Sequence, residues 1–108
     1  MSSIKVPPHD DVAEQSVLGA ILIDKDAMVD VAEFLRPHHF YSGKNALVFT
    51  AMMELYEQHE PIDVVTVTAQ LKKNGSVSSV STSYVSELVN MVPTSAHAEQ
   101  YARIIAEH

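Results

Sequence analysis

The side chains of this sequence best placed to do chemistry are the imidazoles and carboxylates that fall close together. His38-His39 would offer two ring nitrogens to a metal ion, and His9-Asp10-Asp11 forms a carboxylate–imidazole cluster. Neighbouring side chains on a helix or strand point apart, so His38 and His39 lack the i, i+4 spacing with which two histidines share one metal. A solvated or structural pair is the simpler reading. His9-Asp10-Asp11 serves equally well as a helix N-terminus, where acidic side chains cap amide groups and offset the helix dipole. No GxxxxGK, GxGxxG, GxSxG or HExxH pattern occurs, and three glycines in total leave little from which to build a nucleotide-cradling loop. Cysteine is absent, which removes disulfides, thiolate zinc sites and cysteine nucleophiles together. Catalytic residues, a metal and a cofactor are therefore not expected.

The elements that position these residues belong to one domain, read as residues 1–108 with a flexible tail over 1–9. With 46% hydrophobic residues the chain can fill a core without disulfide or metal staples. Seven Lys and Arg against fourteen Asp and Glu give a formal net charge of −7, the wrong sign for a surface that neutralises phosphates. Direct binding of nucleic acid is not expected. The longest apolar stretch, Val17 to Ile23, is far short of the roughly 20 residues that cross a bilayer. Met1 to Pro8 lack the apolar segment and cleavage site of a signal peptide. Cytoplasmic location, with no membrane partner, is the expectation.

Hydrophobic spacing predicts an all-α fold, a compact bundle of about six short helices. The first begins after Pro7-Pro8, with Asp10 or Asp11 as N-cap and Asp11 and Glu14 spaced as a capping box, and runs to about Ile23. Ala27, Met28, Val31, Ala32 and Leu35 form the apolar stripe of a second helix that Pro37 ends. Phe40-Tyr41 then plug the gap between packed elements. A third helix starts near Ser42 or Gly43 and carries Leu47, Val48, Ala51, Met52, Leu55 and Tyr56. No glycine follows it, so a left-handed cap there would cost about 1 kcal/mol, and a looser terminus is expected around His59. Met52-Met53 read as core filling rather than as an adaptable binding surface.

Val64-Val65-Thr66-Val67-Thr68 is a β-branched run that local propensity assigns to a strand. Its flanks favour a helix: Asp63 as N-cap, Ile62 and Val67 as a hydrophobic staple, Lys72-Lys73 in the last turn and Gly75 just beyond. Residues 76–83, SVSSVSTS, read as a mobile polar connector, with phosphoacceptor sites as the functional alternative. Tyr84, Val85, Leu88, Val89 and Val92 mark a fifth helix ended by Pro93. Thr94 caps a sixth, whose apolar positions are Ala98, Tyr101, Ala102 and Ile105. That helix is still in phase at His108, so continuation of the natural chain is expected. Gly19 inside the first helix costs about 1 kcal/mol relative to Ala, which close packing of another helix across Ala13, Gly19 and Ala20 would offset.

Several stretches taken together carry a resemblance. Pro7-Pro8 followed by Ala13-Glu14-Gln15-Ser16-Val17-Leu18-Gly19-Ala20-Ile21-Leu22, then Phe40-Tyr41, then Pro61 to Thr68, and finally Val92-Pro93-Thr94-Ser95-Ala96 with Tyr101-Ala102-Arg103-Ile104, closely resemble the N-terminal domain of bacterial replicative DNA helicases of the DnaB family. The resemblance covers about Val6 to His108 in unbroken order. It implies an all-α head that precedes a helical hairpin, a linker and a RecA-like ATPase motor. It further implies that such heads pair with other helicase subunits into a collar on the ring, and that the collar receives the primase. ATP hydrolysis and unwinding belong to the motor, so this domain alone is expected to be catalytically silent. Two positions depart from the family pattern: Ser81-Thr82-Ser83 stands where a glycine pair usually precedes the equivalent of Tyr84, and His59 stands where glycine is common. The hairpin that pairs subunits in the family would lie mostly beyond His108.

Within that frame Tyr84 is the candidate partner-facing anchor, because tyrosine joins apolar area to a wet hydroxyl; an ordinary place in the core stripe is its alternative. Glu14 and Glu87 could frame a partner's basic groups or lie on a solvated helix face. Ile104 and Ile105 could form an exposed apolar face on the last helix. Two other functions fit some of these features: a free-standing acidic helical adaptor outside replication, and a small enzyme using metal at His38, His39 or His9. A helix-turn-helix DNA binder would need several Arg or Lys on one helix, which none carries.

Overall fold

The order of caps and apolar stripes resolves, in a computed structural model that describes residues 11–91 and 97–107, into helices α1 (Asp11–Ile23), α2 (Asp26–Ala32), α3 (Gly43–Glu57), α4 (Val64–Lys73), α5 (Thr82–Leu88) and α6 (Ala98–Ala106). Two 3-10 turns, Pro37–His39 and Val89–Met91, complete the order, and no strand occurs among the described residues. None of these helices is long and apolar enough to cross a membrane. The expectations at His9, Asp10, Val92, Pro93 and Thr94 fall outside the described residues.

α1 is the axis. Val17, Leu18, Ala20 and Ile21 are all 0% exposed, so this helix is apolar on every side and must be surrounded. It packs most extensively against α6 and the Val89–Met91 turn, and also against α2, α3 and α5; α4 is held through α3 and α5. Gly19 is buried in this packing. The second stripe behaves as spaced, with Ala27, Met28, Val31 and Leu35 in the core. α2 itself stops at Ala32, and the Arg36 guanidinium donates to the carbonyls of Ala32 and Leu35, each at 2.8 Å, closing its C-terminal end.

The β-branched run is helical, for the reason its flanks suggested. Asp63 sits in extended backbone and accepts the Thr66 amide at 2.9 Å, while its own amide donates to Thr66 Oγ1 at 2.8 Å. Ile62 and Val67 are both in the core, and the exposed Val65 faces away. Phe40 plugs the core against Phe49, with ring centroids 5.1 Å apart, but Tyr41 does not share that role: it is exposed. Met52 is fully buried and Met53 packs at the core's edge.

Two expectations about loops are corrected. α3 does not end loosely. His59 takes a left-handed φ of 60°, its amide donates to the Tyr56 carbonyl at 3.1 Å, and the Glu60 amide donates to Leu55 at 2.9 Å. This is the same six-to-one closure that Gly75, at φ 76°, provides after α4, where Ser76 donates to Leu71 at 2.8 Å. Nor is 76–83 simply a mobile connector. Val80 is 1% exposed, Ser79 and Val80 donate back to the Ser76 carbonyl, and Ser81 accepts the Tyr84 amide as the N-cap of α5.

Candidate functional site

The most elaborate polar arrangement joins three helices beneath Tyr84. Asn45, in the first turn of α3, is 2% exposed, and Glu14, in the first turn of α1, is 1% exposed. Asn45 Nδ2 donates to Glu14 Oε1 at 2.9 Å. The same carboxylate accepts the Tyr41 amide at 2.7 Å and the Ser42 amide at 3.3 Å. Ser42 in turn N-caps α3 by accepting the Asn45 amide at 3.4 Å. Tyr84, reached from α5, donates its hydroxyl to Asn45 Oδ1. A chain of donors thus runs from Tyr84 through Asn45 to Glu14.

Glu14 therefore corrects two expectations at once. Asp11 lies inside α1, which leaves Asp10, outside the described residues, as the other proposed N-cap, and the Glu14 carboxylate is turned to the Tyr41-Ser42 turn and Asn45. Its carboxylate points inward and is consumed by three N–H donors, so it is unavailable to a partner's basic groups. A buried carboxylate must be met by hydrogen bonds, and the turn at Tyr41-Ser42 supplies two of them. In chemical terms the arrangement positions helices; its acceptor atoms are already filled.

Above this network Tyr84 is half-buried, and Lys44 Nζ lies 4.5 Å from its ring centroid in a cation–π contact. Together with Gln15, the exposed Tyr41 and neighbours they line a shallow open pocket of about 450 Å³. Burial, with the charges of Glu14 and Asp11 adding to it, raises the Tyr84 phenol above its ordinary value, against the opposing hydrogen bonds of Gln15 and Asn45.

The remaining candidates separate. Glu87, one turn beyond Tyr84 on α5, is exposed. Ile104 is 38% exposed on α6, whereas Ile105 is 2% exposed and belongs to the core, so the expected apolar face contains only the first of them. His38 and His39 do not diverge as expected, because the 3-10 turn holds their rings 4.3 Å apart. His39 Nδ1 accepts the Arg36 amide at 2.9 Å; desolvation first, then the charges of His38 and Arg36, lower its pKa. Among the described residues no group of three or more His, Asp or Glu is gathered to hold a metal ion.

Asn45 is the residue that sequence reasoning missed. Its signal was present: Asn45, Val48, Phe49 and Met52 share one helical stripe, and a polar side chain in phase with a buried face calls for a buried partner.

Comparison with known proteins agrees with this architecture. Residues 6–107 match a family model described as the DnaB-like helicase N terminal domain. The chain is 46% identical over 104 residues to the replicative DNA helicase DnaB of Leifsonia xyli subsp. xyli, covering 95% of this chain and 23% of that protein. It is 42% identical over 106 residues to the replicative DNA helicase DnaB of Geobacillus stearothermophilus, covering 97% of this chain and 23% of that protein. It thus spans under a quarter of the length of these relatives. The crystal structure of the N-terminal domain of DnaB helicase from Mycobacterium tuberculosis superposes with a TM-score of 0.89 at 45% identity, covering 94% of this chain and 74% of that one.

Proposed function

Because this chain belongs to the DnaB-like helicase N-terminal domain family, we propose that it is a non-catalytic assembly and docking domain of a replicative helicase, supporting the collar of the ring and receiving the primase. In this reading the head precedes a motor that carries ATP hydrolysis and unwinding, its partners are primase and other helicase subunits, and its compartment is the cytoplasm. The observation that carries the reading is Tyr84: a half-buried aromatic at an open pocket, its hydroxyl fixed by Asn45 and through it by Glu14. An aromatic anchor held in place before binding loses little entropy on docking, which is the profile of an interface hot spot. Exposed Glu87 on the same helix can meet basic groups of the incoming primase, and Ile104 on α6 offers apolar contact to a neighbouring subunit.

Calorimetric titration with the C-terminal domain of the cognate primase tests this. Tyr84→Ala is expected to weaken binding by more than about tenfold with helix content unchanged. Tyr84→Phe, which keeps the ring but loses the bond to Asn45 that fixes it, should weaken binding by a smaller factor than Tyr84→Ala. Unchanged affinity in a folded Tyr84→Ala chain overturns the assignment.

A further inference from the structure

At the other end of α1 from Tyr84, roughly 17 Å along the helix by its rise per residue, an open groove of about 810 Å³ lies between the α1–α2 turn and the segment joining α3 to α4. Its apolar surface includes side chains that the core leaves uncovered: Ile23 is 51% exposed and Val29 53%, beside the partly buried Tyr56 and the buried Ile62. Its rim is acidic. Asp24, Asp26, Glu60 and Asp63 stand around it against the single amine of Lys25. His59 also lines the groove, and it is the residue held left-handed at φ 60°, a conformation disfavoured for a residue with a Cβ. A glycine would close the α3 terminus more cheaply; what a glycine would lose is the imidazole at the rim.

We propose that this groove is a second docking site, taking an amphipathic helix of a partner protein that carries Lys or Arg beside its apolar stripe. The proposal rests on the reading of the chain as a docking domain but uses a different face from Tyr84. Apolar side chains of the incoming helix would cover Ile23, Val29 and Tyr56, and its basic flanks would meet chiefly the exposed Asp26 and Glu60, since Asp24 and Asp63 each already accept a backbone amide, from Asp26 and Thr66. Charge also argues against a second copy of this chain as the occupant, since each copy carries a net charge of −7 and would bring further negative charge to an acidic rim.

The test is a titration of the isotope-labelled chain, followed by NMR, with a synthetic helical peptide of about four turns bearing leucines at i, i+3, i+4 and i+7 and lysines between them. A counterpart with glutamate in place of every lysine is the control. The lysine peptide is expected to shift the resonances of Ile23, Val29, Tyr56 and Ile62, and to bind at least about tenfold more tightly than the glutamate peptide at low salt, with the advantage falling as salt rises. The double reversal Asp26→Lys/Glu60→Lys, at two exposed positions, should abolish that preference without changing helix content. Shifts confined to the surroundings of Tyr84 would overturn the groove and leave the docking reading of that face intact. Equal affinity for both peptides, or no shift at the groove with either, overturns the proposal. Groove resonances that change with the chain's own concentration, without peptide, would assign the surface to a second copy instead.

Discussion

Asn45 donates its side-chain amide to the Glu14 carboxylate at 2.9 Å across 31 residues of sequence, and the two residues, 2% and 1% exposed, tie the start of α3 to the start of α1 from inside the core. Tyr84 closes the chain of donors from α5. Tyr84, the proposed anchor, is therefore held through Asn45 by a carboxylate buried in the core.

Glu14 is accordingly a stability residue. Replacing it with Ala strands the Tyr41 and Ser42 amides and the Asn45 side chain without acceptors, and is expected to lower unfolding free energy by about 3 kcal/mol. Glu14→Gln keeps one oxygen but turns an NH₂ group toward N–H donors, and should cost about 2 kcal/mol. Urea denaturation monitored by circular dichroism measures both. Variants as stable as the parent chain would mean that solvent, not Glu14, satisfies those amides.

The raised phenol pKa of Tyr84 gives a pH dependence with a definite sign. The folded chain keeps that proton to higher pH than the unfolded chain, whose tyrosines titrate near about 10. The associated stability is complete below pH about 10 and is lost as pH rises through the folded-state value. Tyr84→Phe has no such proton. The stability advantage of the parent chain over Tyr84→Phe should therefore shrink in guanidinium unfolding series carried out at successively higher pH above about 10. A constant difference across that range would place the phenol in ordinary solvent.

His59 and Gly75 occupy equivalent left-handed positions after α3 and α4, so substitutions there should have opposite signs. His59→Gly removes the Cβ penalty and is expected to raise stability by about 1 kcal/mol, or about 5 °C in Tm. At Gly75 nothing lies within 4 Å of an added Cβ, so Gly75→Ala bears the backbone cost alone and should lower stability by about 1 kcal/mol. Thermal unfolding of the two single variants checks the pair; a destabilised His59→Gly would show that the imidazole contributes more to the fold than its backbone costs.

The elements were legible wherever the signals are local. Asp63, Lys72-Lys73 and Gly75 mark the ends of α4 within the segment itself, strongly enough to override the strand preference of Val64 to Thr68. The apolar stripes of α2 and α3 likewise lie on the faces their spacing gives. The polar site was not legible in the same way. Glu14 has a capping-box position in sequence, and only the arrival of the Tyr41-Ser42 turn and of Asn45, 27 to 31 residues away, makes it a buried acceptor instead.

By itself, then, the sequence determined an acidic, all-helical domain, because periodicity and caps act over a few residues and need no knowledge of what lies opposite; the DnaB-like helicase N-terminal domain family entered through the resemblance of whole stretches to its members. Tertiary structure alone decided which polar groups meet and which apolar ones stay outside. Adjacent residues on a helix point about 100° apart, so the face that α6 turns to α1 buries Ile105 and leaves Ile104 exposed. The left-handed turn at His59 was likewise beyond local preference, since histidine carries no local signal for that conformation and the turn is made with bonds back to the carbonyls of Leu55 and Tyr56.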